Sequence, residues 1–193
     1  MGQRHQVYVI FKDGHSNKTG VHAFHAQWSY GTLPVRAIDR LLTFSKNAAE
    51  NGHTLADWRV HGLSAVLSAD IVEGAINSHF SIQENMLKKG VVNPDCGDNN
   101  DGISIIDMRN MAKPKYGLMF LFEHEETKGV KTKEYKILNA EDYVRAYYKD
   151  FEDTPAEGIT DTLERVMSHK LITPKDLVKF AKSFKDKVIS ANI

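Results

Sequence analysis

The chain has 193 residues, 41% hydrophobic and 26% charged, the balance of a folded globular protein rather than a disordered one. Lysine plus arginine and aspartate plus glutamate number 25 each, so no net field exists to hold a polyanion by counterion release, and any nucleic-acid surface would have to be a local patch. A single cysteine, Cys96, excludes an internal disulfide and points to a reducing, cytoplasmic setting, while no apolar run approaches the roughly 20 residues of a membrane span.

Residues 1–6 lack the apolar region of a signal peptide. Gln6 stands where a myristoylation motif wants serine or threonine. In chain order, residues 7–11 (VYVIF) are β-branched and aromatic and run into Asp13-Gly14, a turn pair, so they predict a first strand. Residues 20–28 predict a second strand, antiparallel to it across a short hairpin. After the Tyr30-Gly31 corner, Thr32 as N-cap and Pro34 in the first turn open a helix with Ile38, Leu41, Leu42 and Ser45 inward, ended by Asn51-Gly52. Residues 54–89 read as two or three short helices, broken at Gly62 and Gly74, with Ser68 as a cap. A loop rich in Asn and Asp, residues 90–102, leads to buried strands at 103–107 (ISIID) and 116–122 (YGLMFLF), joined by the polar segment MRNMAKPK. A further strand at about 130–138 follows, suited to pair with YGLMFLF.

Asn139 caps the next helix, whose first turn carries Glu141 and Asp142, favourable at the positive end of the helix dipole. From Thr160 the chain reads as two helices. Thr173-Pro174 opens the second, with Leu177, Phe180, Ala181, Phe184 and Val188 on one face, the pattern of a helix packing on its own domain. The expected fold is α+β: one domain over 1–193, a mainly antiparallel sheet packed with helices, residues 155–193 forming a helical C-terminal extension.

Three polar clusters stand out. In an extended second strand His22, Phe24, Ala26 and Trp28 share one face, and Ala23, His25 and Gln27 the other. The two histidines point apart, which argues against their sharing a zinc ion. Phe24 and Trp28 are core residues on this reading, whereas His25 either meets a backbone carbonyl or faces a site. Arg4, His5 and Gln6 form a second cluster: Arg4, Gln6 and Tyr8 alternate to one side, His5, Val7 and Val9 to the other. Strand register decides which set stands beside His25 and Gln27. The third is DCGDNNDG, residues 95–102. Tested against an EF-hand with Gly102 as the sixth position, Asp101 and Asn99 fit but Gly97 and Met108 fail as first and last ligands. It is either a tight Asn-stabilised turn or a ligand loop.

Nucleophilic catalysis has thin support. Cys96 has no cationic neighbour in sequence, and neither a Gly-x-Ser-x-Gly elbow nor a Gly-rich phosphate loop occurs. His53, His61, His79, His124 and His169 read as solvated or structural groups on helices or loops.

Together, MGQRHQVYV, HAFHAQWSYG and DNNDGISIID resemble a family of uncharacterised proteins of tailed bacteriophages, with relatives in fungi. Its members open with Gly-Gln-Arg-His-Gln, continue with His-x-Gln-Trp-x-Tyr-Gly and later carry Asp-Asn-Asn-Asp-Gly. The likeness covers about the first 110 residues. It implies a phage or phage-derived accessory protein in the host cytoplasm and supplies no reaction. The layout is also similar to class II glutamine amidotransferases, in which an Asn-Gly donates to an oxyanion, as Asn99, Asn100 and Gly102 echo here. Those enzymes use an N-terminal Cys, Ser or Thr as nucleophile, whereas removing Met1 here exposes Gly2, so that chemistry is not expected.

Three functions follow as expectations. A binding protein would take a small, nucleotide-like molecule or a host protein, as an inhibitor of host defence does, through Arg4, His5, Gln6, His25, Gln27, Tyr30, Asn99, Asn100 and Asp101, with Trp28 or Tyr30 stacking on a base. A metal-assisted hydrolase would use His25 as general base, with Asp98 or Asp101 orienting it or holding a divalent cation. A structural module would need none of these. The first two require residues 4–6, 25–27 and 98–101 to border one hollow.

Overall fold

A computed structural model of the chain describes residues 4–12, 19–27, 29–53, 79–82, 102–126, 130–149, 158–173 and 175–176. They form an α+β fold in which one mixed sheet carries helices packed on it. Its strands are β1 (Arg4–Lys12), β2 (Thr19–Gln27), β3 (His79–Ile82), β4 (Ile103–Asp107), β5 (Lys115–Glu126), β6 (Val130–Leu138) and β7 (Lys170–Leu171). The order across the sheet is β3-β2-β1-β4-β5-β6, with β7 paired to the start of β5. The β1–β4 and β5–β7 ladders are parallel and the others antiparallel.

β1 and β4 lie in the middle of the sheet, and their sequences show why. Val7, Tyr8, Val9 and Ile10 are all buried, as are all five residues of β4. Near-continuous apolar runs suit strands covered on both faces. Alternation sorts the side chains. Val7, Val9, Phe24, Ile106, Tyr116 and Leu118 belong to one core cluster beneath the helices, whereas Tyr8, Ile10, Ile103, Ile105 and Met119 are buried on the opposite face.

The helices are α1 (Leu33–Glu50), α2 (Ala140–Tyr147) and α3 (Thr160–Met167). In α1, Val35, Ile38, Leu41 and Leu42 form the stripe that meets the core cluster, and burying each such side chain is worth roughly 1.5–3 kcal/mol. Thr32 holds the cap position of α1 without a side-chain cap bond. In α2 the cap is made: Asn139 Oδ1 accepts from the Asp142 N–H at 2.8 Å, and Asn139 Nδ2 donates to Asp142 Oδ2 at 2.8 Å. α3 is tied to α1 by a fork in which Arg165 Nε and Nη2 donate to Asp39 Oδ2 at 3.1 and 2.7 Å.

The sequence reading of elements differs from the structure in three places. β1 begins at Arg4, so Arg4, His5 and Gln6 are strand residues rather than a lead-in. β3 falls where short helices are expected; its alternation of His79 and Ser81 with Phe80 and Ile82 has the period of a strand but only four residues in which to show it. Between α3 and Thr173 the chain forms β7, where two helices in succession are expected. Thr173 does open the next turn: its hydroxyl accepts from the Asp176 N–H at 3.1 Å, while the Asp176 carboxylate accepts from the Thr173 N–H at 3.2 Å. Residues 177–193, with the amphipathic face anticipated there, lie outside the described residues.

Gly102 sits where β4 begins, with φ +97°. A Cβ there would stand 2.5 Å from the Met119 carbonyl oxygen, so both backbone angle and space demand glycine. Gly52, at φ +72° beyond α1, faces open space. Urea unfolding should separate the two: Gly102→Ala is expected to cost at least about 2 kcal/mol and Gly52→Ala about 1 kcal/mol.

Candidate functional site

Register answers which polar set stands beside His25. Gln6 pairs with His25, Arg4 with Gln27 and Tyr8 with Ala23 in the β1–β2 ladder. β3 continues both rows, with Ser81 opposite His25 and His79 opposite Gln27. Directly opposed residues share a face about 5 Å apart, so the positions Gln6, His25 and Ser81 form one row and Arg4, Gln27 and His79 the next. Both rows lie on the face away from the helices. His79, expected on a helix or loop, thus joins the candidate set, and the sequence signal for it was the brief alternation of HFSI.

Gln6 is 1% exposed, and its Oε1 accepts from the Tyr8 hydroxyl at 2.8 Å. Its backbone N–H donates to the Gly102 carbonyl at 3.3 Å. That bond fastens the end of the DCGDNNDG segment beside the polar rows. Asp98, Asn99, Asn100 and Asp101 themselves lie outside the described residues, as do Trp28 and Cys96. Among the described residues no three His, Cys, Asp or Glu side chains converge as metal ligands.

His5 takes the other face. It is fully buried, its Nε2 shares a 2.6 Å hydrogen bond with Ser104 Oγ, and its ring meets Tyr143 edge to face at 6.3 Å. Phe24 joins the same core. Tyr30 is 41% exposed and stacks on Tyr147 of α2, with centroids 6.5 Å apart. The structure therefore brings Arg4, Gln6, His25 and Gln27 to one end of one face, with His5 behind the sheet. Ser104→Ala removes a buried partner of His5 and should cost roughly 1–3 kcal/mol in denaturant unfolding.

A second polar locality lies at the far end of β4, unanticipated from sequence. A cleft of about 460 Å3 is lined by Lys46, Asn110, Lys113, Lys115, His169 and Lys170, with Ala112, Pro114 and Ser168 between them. Its walls are held in place. Ser45 donates from its hydroxyl to the Met111 carbonyl at 2.9 Å, fixing α1 against the β4–β5 turn, and the Ile172 N–H donates to Tyr116 O at 2.7 Å, fixing β7. The nearby carboxylates are engaged. Asp107 accepts from Arg109 Nε at 2.9 Å and Nη2 at 2.5 Å, a bond that holds the Arg109 pKa above its ordinary value. Asp176 accepts from Thr173, which with Lys115 at 3.8 Å pulls its pKa down.

His169 has its pKa lowered, first by burial and then by the charge of Lys46, against a hydrogen bond to the Pro114 carbonyl and the charge of Asp39. A histidine whose folded pKa lies below the unfolded value of 6.5 takes up its proton more readily once unfolded. Its stability contribution is therefore complete above that value and is lost as pH falls through it toward the folded pKa. The unfolding midpoint should drop between about pH 7.5 and about pH 5.5, and His169→Gln should make that drop smaller. An equal drop in both proteins would refute this.

No family model matches the chain, and no curated protein or solved structure is found similar to it. Among the described residues no helix is long and apolar enough to cross a membrane.

Proposed function

We propose that this chain is a ligand-binding accessory protein, of the kind its likeness to the tailed-phage family implies, that takes a small nucleotide-like molecule at the polar end of β1, β2 and β3. The supporting observation is the register, which aligns Arg4 with Gln27 and His79, and Gln6 with His25 and Ser81, on one face. The residue types suit such a ligand: guanidinium and imidazole donate to phosphate or ring acceptors, and glutamine both donates and accepts on a base edge. Tyr8, Ile103 and Ile105, on the same face, are buried, and an apolar surrounding strengthens a polar contact. The Gln6 N–H bonds the Gly102 carbonyl at the same end of the sheet.

Titration calorimetry against nucleotides, with and without magnesium, tests this reading. One-site binding weakened about tenfold or more by His25→Ala and by Gln27→Ala, with unfolding midpoints retained, is the expected result. Absence of heat with every nucleotide, or equal affinity in both variants, would overturn it. Magnesium-dependent turnover lost in His25→Ala and Asp101→Ala would move the assignment from binding to hydrolysis.

A further inference from the structure

The lysine-lined cleft stands apart from the ligand reading above, at the opposite end of β4. Gly102 and the polar rows lie where β4 begins, and the cleft lies past Asp107 where it ends, at least ~13 Å along the strand. We propose that this cleft is a binding site for a small molecule carrying two or more phosphoryl groups, held by Lys46, Lys113, Lys115 and Lys170.

Three observations carry the assignment. The first is a like-charge pairing. Lys115 and Lys170 are direct partners in the parallel β5–β7 ladder, and like charges placed opposite one another across strands are destabilising. Lys46 and Lys113 enter from α1 and from the β4–β5 turn to line the same cleft. A chain with 25 cationic and 25 anionic residues does not gather four lysines around one concavity through composition alone.

The second observation is where the acids are. Asp107 is the cross-strand partner of Lys115 in the β4–β5 ladder, yet its carboxylate is forked by Arg109. Asp39 is forked by Arg165, and Asp176 is held by Thr173 with Lys115 only at 3.8 Å. Among the described residues no carboxylate stands at ion-pair distance from Lys46, Lys113 or Lys170. Asp176 offsets part of the charge of Lys115 and Lys170, and the rest of the cleft's cationic field is left for an anion from outside.

The third is shape. A volume of about 460 Å3 lies within the range of small-molecule sites, roughly 300–1,000 Å3. Lysines approaching from separate elements act as point charges around a centre, the geometry in which a compact polyanion meets several ammonium groups at once. Inorganic tripolyphosphate and a nucleoside triphosphate share this chemistry.

Calorimetric titration of the full chain with pyrophosphate, tripolyphosphate and ATP, without metal, tests the proposal. The expected result is one-to-one binding of pyrophosphate and of tripolyphosphate to the unaltered chain, and of ATP to the His25→Ala chain, that weakens about tenfold or more when Lys113→Gln and Lys170→Gln are combined, and that declines as salt is raised toward about 0.15 M. His25→Ala should leave it unchanged, which separates its failure from failure of the nucleotide reading. Tighter binding of ATP than of tripolyphosphate would assign a nucleotide, and equal binding a free polyphosphate; both support the site. Without ligand, the double variant should unfold at the same or a higher midpoint, because the Lys115–Lys170 repulsion is relieved. Absence of binding, binding that survives the double variant, a lowered midpoint in that variant, or tighter capture of a single-stranded oligonucleotide than of any of the three phosphates would overturn the proposal.

Discussion

The parallel pairing of β1 with β4 is the constraint on which the rest of the structure rests. It joins Gln6 to Ile103 and Ile10 to Asp107, residues nearly a hundred positions apart, and is extended at its two ends by the Gln6 N–H on Gly102 and the Met108 N–H on Ile10. Closing so long a span costs entropy that grows only logarithmically with length. The apolar burial of two strands covered on both faces offsets that cost. A slip of one residue would exchange the faces of every side chain on one strand, placing Gln6 and Tyr8 under the helices and Val7 and Val9 away from them. The buried His5–Ser104 bond, which needs Val7 opposite Ser104, resists that slip.

The same pairing gives the sheet chemically different ends. Where β4 begins, the neighbouring positions are Arg4, Gln6, His25 and Gln27, a mixed set of donors and acceptors. Where it ends, Lys115 stands across from both Asp107 and Lys170. The Asp107 carboxylate is committed to Arg109 within the turn, so the lysines on the cleft side keep their charge uncompensated by it. Overall neutrality therefore coexists with a strongly cationic locality, because local forks absorb the acids first. The lowered pKa of His169, which is half-buried, comes first from desolvation and then from the charge of Lys46.

Much of the fold was legible because it depends on neighbours in sequence. VYVIF and ISIID are apolar and β-branched, and they became buried central strands. Asn139 three residues before Asp142 is a cap whatever surrounds it, and Thr173 with Asp176 another. Gly102, one piece of the DNNDG resemblance, has a physical account in its positive φ and in the Met119 carbonyl beside it. Elements too short to show a period were not legible: β3 offers four residues and β7 two, and both owe their strand geometry to the edge they pair with.

The candidate sites divide in the same way. Alternation alone placed His25 with Gln27, opposed Gln6 to His5 across the strand, and assigned Phe24 to the core, because a strand's side-chain period is a local property. Which of those faces met across β1 and β2, that His79 joined them, and that Lys46, Lys113, Lys115 and Lys170 converged on one cleft were decided by the tertiary structure. Those alignments depend on how distant strands settle against one another to bury their apolar faces, and no short stretch of residues encodes that choice by itself.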